Sequence, residues 1–538
     1  MKTFFNLATL AASVFFVAVG PAPIAMAQNT SQPTISPFTQ ALAQNARKDR
    51  DLAAFYKARG YAPLWTGKSS DDRARRGALL DAFETATSHG LPAARYDANL
   101  LRQKINAAKD DQTRAALEIE LSQRFLQFAR DIQTGLLVPS RVDSEIVRKA
   151  PRRDRYSTID AFSKSSPKGF LKALPPRSPE YQRLIRAKAD FERLLAKGGW
   201  GPQVRAKKLK PGDQGAAVVQ LRDRLIAMGY LKRTPTQIFD ETITAGVRQF
   251  QAAHGLSADG VAGAGTLKAI NQSAGARLQQ IIVAMERERW INRPLGRRHV
   301  MVNLTDFSAK IIDGQTVTFR TRSVIGANEE DRRSPEFSDV MEFMVINPSW
   351  YVPRSIVVNE FLPMMQQDPN AQSQLEITDS TGTVMSRAAI DFAAYDEETF
   401  PFAMRQPPSR GNALGLVKFM FPNRYNIYLH DTPAKKLFGR QYRAFSHGCI
   451  RLADPFDFAY ALLAPQVGNP EAYFQSLLAT GDERRVNLKT PVPVHLIYRT
   501  AFTEIDGTVR FRGDVYRRDA KIWRALAEQG VALRAVQG

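Results

Sequence analysis

The chain has 538 residues, a formal charge of +22 and 44% hydrophobic residues. That hydrophobic share excludes a wholly disordered chain, and the length predicts two to four domains. The charge suits an anionic partner. No nucleic-acid-binding motif is present and the basic residues are scattered rather than striped, so a carboxylate-rich polymer fits as well as a nucleic acid.

Lys2, the apolar run from Phe4 to Val19 and Ala25-Met26-Ala27 before Gln28 read as a cleaved secretory signal over residues 1–27. An uncleaved anchor is the alternative, although the run is short for a membrane span. Export places the chain outside the cytoplasm. Its single cysteine, Cys449, excludes an internal disulfide and points to a specific use for the thiol. Residues 28–40 are rich in Ser, Thr, Gln and Pro and are expected to be disordered.

From about residue 40 to 200 the pattern is mainly helical, clearest at Leu79–Thr87 and Leu117–Leu136. Phe55-Tyr56 and Tyr61 to Trp65 are expected in its core. Residues 140–180 have weak periodicity and read as a long irregular connection. Residues 207–275 form a compact unit of three short helices. Val218, Leu221, Leu225 and Met228 share one face of the first, which Gly229 ends. Val247, Phe250 and His254 follow on the second, and Thr266 opens the third. His254 reads as a packed helix-end residue, because one histidine without partners at ligand spacing is poor evidence for zinc. A helix rich in Arg and Glu over 277–294 connects this unit to the next.

Period-two alternation begins at His299 and recurs at Thr316–Arg322 and Val340–Ile346, with a hairpin turn at Asp313-Gly314. Residues 355–410 interrupt the strands with helical and irregular sequence, a candidate lid. Strand returns over 416–430, helix over 455–480, and a closing strand at Val492–Tyr498. An Asp506-Gly507 turn and a basic tail from 517 to 538 complete the chain.

The chemistry concentrates in Phe445-Ser446-His447-Gly448-Cys449-Ile450-Arg451, with His430 19 residues before Cys449. A thiol with an imidazole is the material of nucleophilic catalysis: the thiolate attacks a carbonyl and the imidazole carries the proton. The bland alternative is a small buried apolar cysteine. Gly448 favours catalysis, because a glycine lets backbone N–H groups approach a developing oxyanion. His430, at the end of a strand-like run, is one candidate base; His447 is the rival by proximity, since residues two apart on a strand share a face.

Ser446-His447-Gly448-Cys449-Ile450-Arg451, preceded by His430-Asp431-Thr432-Pro433, resembles the signature of the L,D-transpeptidases, the YkuD fold. Asn412-Ala413-Leu414-Gly415, Val417-Lys418-Phe419, Phe421-Pro422-Asn423-Arg424-Tyr425 and Asn347-Pro348-Ser349-Trp350-Tyr351-Val352-Pro353 resemble its large multidomain proteobacterial branch. Gln249-Phe250-Gln251, Gly255-Leu256 and Asp259-Gly260 resemble the three-helix peptidoglycan-binding domain; a generic helical spacer is the alternative. The fold implied is multidomain α+β. It has a helical N-terminal scaffold (28–206), the peptidoglycan-binding domain (207–275) and a mainly-β catalytic sandwich (298–500) with a capping insertion (355–410). A C-terminal extension (501–538) follows.

The resemblance implies Cys449 as nucleophile and His430 as base, with Gly448, His447 and Asp431 in support and around the oxyanion. Tyr428, Ser446, Arg451, Trp350 and Tyr351 are the candidate substrate-binding residues. The activity implied is acyl transfer on peptidoglycan stem peptides through a thioester, giving 3→3 cross-links, with carbapenems acylating the same thiol. No metal or organic cofactor is implied. Partners are peptidoglycan stem peptides and glycan, with other wall-synthesis or outer-membrane proteins in view and nucleic acid not expected. The same acyl-enzyme could instead attach an outer-membrane protein, exchange D-amino acids or hydrolyse. A non-catalytic wall-binding scaffold is the remaining alternative.

Overall fold

The computed structural model describes residues 36–533. The expected signal segment lies outside them. No helix among the described residues is long and apolar enough to cross a membrane.

The first region is a helical array built on the long helix Asp111–Thr134. Its Glu118 is fully buried and accepts hydrogen bonds from Tyr56 Oη at 2.8 Å, from the Trp65 and Thr66 backbone N–H groups at 3.0 and 2.7 Å, and from Thr66 Oγ1 at 2.8 Å. One carboxylate thereby fixes the Tyr61–Trp65 turn, whose aromatics are core as expected. Two expectations fail here. A helix, Pro37–Ala46, capped by Ser36, occupies the end of the stretch read as disordered. The 140–180 stretch also contains the helices Arg155–Ser163 and Pro167–Lys172. Its few apolar residues are decisively placed: Phe162 is fully buried and stacks on Trp65 with ring centroids 5.2 Å apart. Short helices carrying one or two anchors do not generate a visible period.

The compact unit has the three expected helices, Ala216–Ala227, Glu241–Ala253 and Ala264–Ile270. Val218, Leu221, Leu225, Val247 and Phe250 share its core. His254 is packed as expected, its Nδ1 2.8 Å from the Phe250 carbonyl and its ring 3.9 Å from that of Phe250.

The helix Ala274–Trp290 is more than a connection. Both faces are buried, and Glu286, Arg287, Glu288 and Arg289 all lie inside the protein. Arg287 pairs with Glu336 at 2.5 Å and Asp519 at 3.1 Å. Arg518 pairs with the same Glu336 at 3.3 Å and with Glu145 at 3.0 Å. This network ties the helical array, the Ala274–Trp290 helix and the strand-rich domain together. The C-terminal extension is therefore no loose tail: it forms the helix Arg518–Glu528, whose Ile522 and Leu526 enter the core of the first region.

The strand-rich domain is a nine-stranded sheet. Its strands are β1 (Arg298–Asn303), β2 (Ser308–Asp313), β3 (Thr316–Gly326), β4 (Ser338–Ile346), β5 (Val417–Met420), β6 (Leu429–His430), β7 (Ala444–Ser446), β8 (Ile450–Leu452) and β9 (Arg484–Ile497). The order is β7-β3-β8-β6-β5-β4-β9-β1-β2, and β3 also pairs with β2. The first half of β3 serves β2 and its second half serves β8 and β7, so the sheet folds back on itself around one core. The expected hairpin joins β2 to β3, with Asp313 opposite Thr316 and Gly314 at φ +64°.

The 355–410 insertion is more ordered than its sequence suggests. Trp350–Tyr351 pairs with Ala403–Gln406, which pairs with Glu376–Thr378, which pairs with Val384–Met385. This four-stranded sheet has its own core around Met365, Ile377 and Met404. Strands of two to four residues are too short to display alternation.

Candidate active site

Short parallel pairing between β6 and β8 sets the site. Leu429 lies opposite Ile450 and His430 opposite Arg451, and the Ile450 N–H donates to the Tyr428 carbonyl at 3.1 Å. Leu429 and Ile450 point into the apolar core. Alternation then sends Tyr428, His430, Cys449 and Arg451 to the other face. His430 is also opposite Lys418 on β5, so Lys418, His430 and Arg451 form one row across three strands. Cys449 precedes Ile450 and His430 follows Leu429, so the two are diagonal neighbours across the parallel pairing.

This face floors a cavity of about 640 Å³. Trp350, Tyr351, Tyr428, His430, Ser446, His447, Cys449 and Arg451 all line it, as do Lys418 and Asn426. The insertion contributes Ile356, Asn359, Glu360 and Phe361. Gly448 and Asp431 are not on the wall. Gly448 is the turn that presents the thiol: its φ is +107°, and a Cβ there would meet Ile427 Cδ1 at 3.1 Å. Asp431 faces away, accepting from the Leu416 N–H at 2.9 Å and from Lys435 Nζ at 2.5 Å. Gly415, at φ +62°, leaves room for that carboxylate, which a Cβ would meet at 2.3 Å.

The loop is tightly braced. Ser446 Oγ donates to the Cys449 carbonyl at 2.5 Å and accepts from the Gly448 N–H at 3.2 Å. Ser334 Oγ donates to the Gly448 carbonyl at 2.6 Å. The Ser334 carbonyl in turn accepts from Arg518 at 3.0 Å, linking the loop to the C-terminal helix. Because Gly448 N–H is engaged with Ser446, the Cys449 N–H is the better-placed donor for an oxyanion. Cys449 Sγ donates to the Asn426 carbonyl at 3.4 Å, and Asn426 holds φ +53° to aim it.

Burial pushes the Cys449 thiol up to about 11, opposed by hydrogen bonds from Tyr428 and by the Arg451 charge. Burial, then Arg451, pushes the His430 imidazole down to about 3, against the pull of the Asp431 and Leu414 backbone. At neutral pH the resting pair is thus a neutral thiol and a neutral imidazole rather than an ion pair. His430 Nδ1 and Arg451 Nε make no hydrogen bond among the described residues. Burial also lowers Lys418 and Arg451, and neither forms an ion pair there. Lys418 is held by the Ser349 carbonyl at 3.2 Å.

His447 is committed elsewhere: its Nε2 lies 2.7 Å from Glu360 Oε1 of the insertion, which also pairs with Arg332 at 2.8 Å. Sequence reading gave no role to Lys418, Asn426, Ser334 or Glu360. Alternation around Lys418 was the one available signal; the others depend on contacts across 23 to 114 residues. Among the described residues no group of three or more His, Cys, Asp or Glu side chains is placed to hold a metal ion.

Comparison with known proteins follows this division of the chain. Residues 297–494 match the family described as the L,D-transpeptidase catalytic domain (YkuD). The chain carries a YkuD L,D-transpeptidase catalytic domain. Residues 214–270 match the family described as "Putative peptidoglycan binding domain", and residues 50–187 a scaffold domain. A Haemophilus influenzae protein named "Putative L,D-transpeptidase" is 31% identical over 242 residues, 45% of this chain and 48% of that protein. The chain thus spans about half the length of that curated relative. A crystal structure of an L,D-transpeptidase from Xylanimonas cellulosilytica aligns over 55% of this chain and 98% of its own, at 16% identity and a TM-score of 0.17.

Proposed function

We propose that the chain is a periplasmic peptidoglycan L,D-transpeptidase that forms 3→3 cross-links through a Cys449 thioester. The observation that carries this reading is the shared cavity. It brings a thiol, a neutral imidazole and two cations without carboxylate partners to one sheet face.

Arg451 and Lys418 bind carboxylate of the stem peptide, Arg451 with a planar fork suited to bidentate contact. Cys449 Sγ attacks the carbonyl carbon of the third stem residue while His430 takes the thiol proton. The Cys449 N–H stabilises the oxyanion. The C–N bond to the terminal D-alanine breaks, and His430 returns the proton to the leaving amine. A side-chain amine of a second stem then attacks the thioester. Its proton passes to His430 and on to the departing thiolate, restoring the resting pair. Tyr428 hydrogen-bonds the thiolate while it is charged. Trp350 and Tyr351 flank the donor, and the insertion covers it through the His447–Glu360 contact.

Intact-protein mass after incubation with a tetrapeptide stem tests the reading. One tripeptide acyl group on the wild type, and none on Cys449→Ser, is expected. A wild-type protein that never gains mass would leave only the wall-binding scaffold. Acylation that ends in free tripeptide despite an added acceptor stem would make it a hydrolase.

A further inference from the structure

A cavity of about 950 Å³, larger than the Cys449 cavity, lies between the three-helix unit, the Ala274–Trp290 post and the C-terminal extension. It shares no residue with the Cys449 cavity. Lys268 and Arg524 stand exposed along it, one from the unit and one from the C-terminal helix. Arg277 and Arg512 lie deeper. Both are fixed without carboxylates: Arg277 by Gln280 Oε1 at 2.9 Å and the Ala269 carbonyl at 3.1 Å, Arg512 by the Ala253 carbonyl at 2.8 Å.

None of these four cations forms an ion pair among the described residues. The two carboxylates on the wall are already committed, Asp519 to Arg287 at 3.1 Å and Asp514 to Tyr498 Oη at 2.5 Å. The cavity wall thus carries four cations against two carboxylates, an excess of positive charge held in place by neutral partners. Trp523, half-buried, adds a ring on which a sugar can lie. A second cavity of about 340 Å³ shares Lys268, Arg512 and Asp514 and continues to Tyr442 and Arg443. Those residues lead directly into β7, the strand before Gly448 and Cys449.

We propose that this groove is a second polymer site: it binds a carboxylate-bearing peptidoglycan strand jointly between the three-helix unit and the C-terminal extension. The stem carboxylates lie on the four cations and the amino-sugar chain runs past Trp523 toward the Tyr442 segment. The proposal rests on the reading that wall polymer is the substrate. It adds that the unit at 214–270 is half of the recognition surface, the other half coming from residues beyond the family matches.

The test uses the full chain and purified sacculi in a sedimentation assay. Arg524→Glu changes an exposed residue outside the three-helix unit, and should weaken sacculus binding at least threefold. Lys268→Glu/Arg524→Glu should weaken it tenfold or more, and Lys268→Gln/Arg524→Gln should fall between, because the loss follows charge. Amidating the sacculus carboxylates should weaken wild-type binding and should not weaken that of the double Glu variant. Acylation of Cys449 by a free tetrapeptide should stay within twofold in every variant. Arg524→Glu binding indistinguishable from wild type, or wild-type binding indifferent to amidation, overturns the proposal. Failure of the transpeptidase reading is separate: it shows as absent acylation in the wild type, whatever the sacculus affinities.

Discussion

Two groups of cations face opposite situations in this molecule. Around the Ala274–Trp290 post, Arg287 and Arg518 share Glu336 and reach Asp519 and Glu145. On the β5-β6-β8 face, Arg451 and its neighbour Lys418 line a cavity and form no ion pair among the described residues. Desolvating a charge costs several kcal/mol, of the order recovered only by good pairing. The first group meets that cost inside the fold. The second leaves it unmet, which is tolerable only at an open cavity where water, and then an anionic substrate, can approach. A buried cation without a carboxylate is therefore better evidence of binding than one with a carboxylate.

The largest expected effect concerns the row itself. Cys449→Ser should fold normally and lose transfer altogether, as read by tripeptide adduct and cross-linked product. His430→Ala should lower turnover by about 10²–10⁴-fold, the usual worth of a positioned base. Alkylation of Cys449 by a small reagent should rise with pH toward about 11 in the wild type, instead of levelling near the ordinary thiol value of about 8.5. His447→Ala should leave that profile in place. A profile that moves with His447 and ignores His430 reverses their roles.

The comparison of arginines can be broken directly. Arg287→Met leaves Asp519 without its cation and Glu336 with Arg518 alone, and should cost about 3–5 kcal/mol in denaturant unfolding. Arg451→Met removes an unpaired, half-buried charge, so its stability should be unchanged or higher. Its KM for a tetrapeptide donor should rise about tenfold to a hundredfold, an effect of about 1.4–3 kcal/mol on binding. Equal destabilisation by the two substitutions would erase the distinction.

The smallest effect is a slope. Burial pushes the Asp519 carboxyl up to about 7. Its folded pKa thus lies above the unfolded value of about 3.9. The stability it contributes is present below pH ~4 and is lost as pH rises through about 7. Asp519→Asn should flatten the fall in Tm between pH 5 and 8, a change of a few degrees at most (~2–4 °C per kcal/mol). An unchanged slope assigns the shared proton to another member of the network.

Residues 445–451 and His430, the three-helix unit and the start of the strand-rich domain were legible along the chain, because each is written locally. A glycine turn, a run of alternation or an i, i+3, i+4 face depends only on near neighbours. The pairing of β6 with β8 is not local. Nothing in the sequence aligns His430 with Arg451 rather than with a neighbouring position. A slip of one residue would send the histidine into the core. The commitment of His447 to Glu360, 87 residues away, is equally invisible.

The sequence by itself determined the chemistry on offer: one thiol, a histidine beside it and one upstream, and a charge of +22. Tertiary structure decided which charges are spent and which are free. It buried Arg287, Arg289 and Arg518 among carboxylates in a helix and tail that read as polar. It left Arg451, Lys268 and Arg524 facing cavities. The physical reason is that a side chain's charge is fixed by its covalent structure. Its partner and its desolvation are set by residues that only folding brings near.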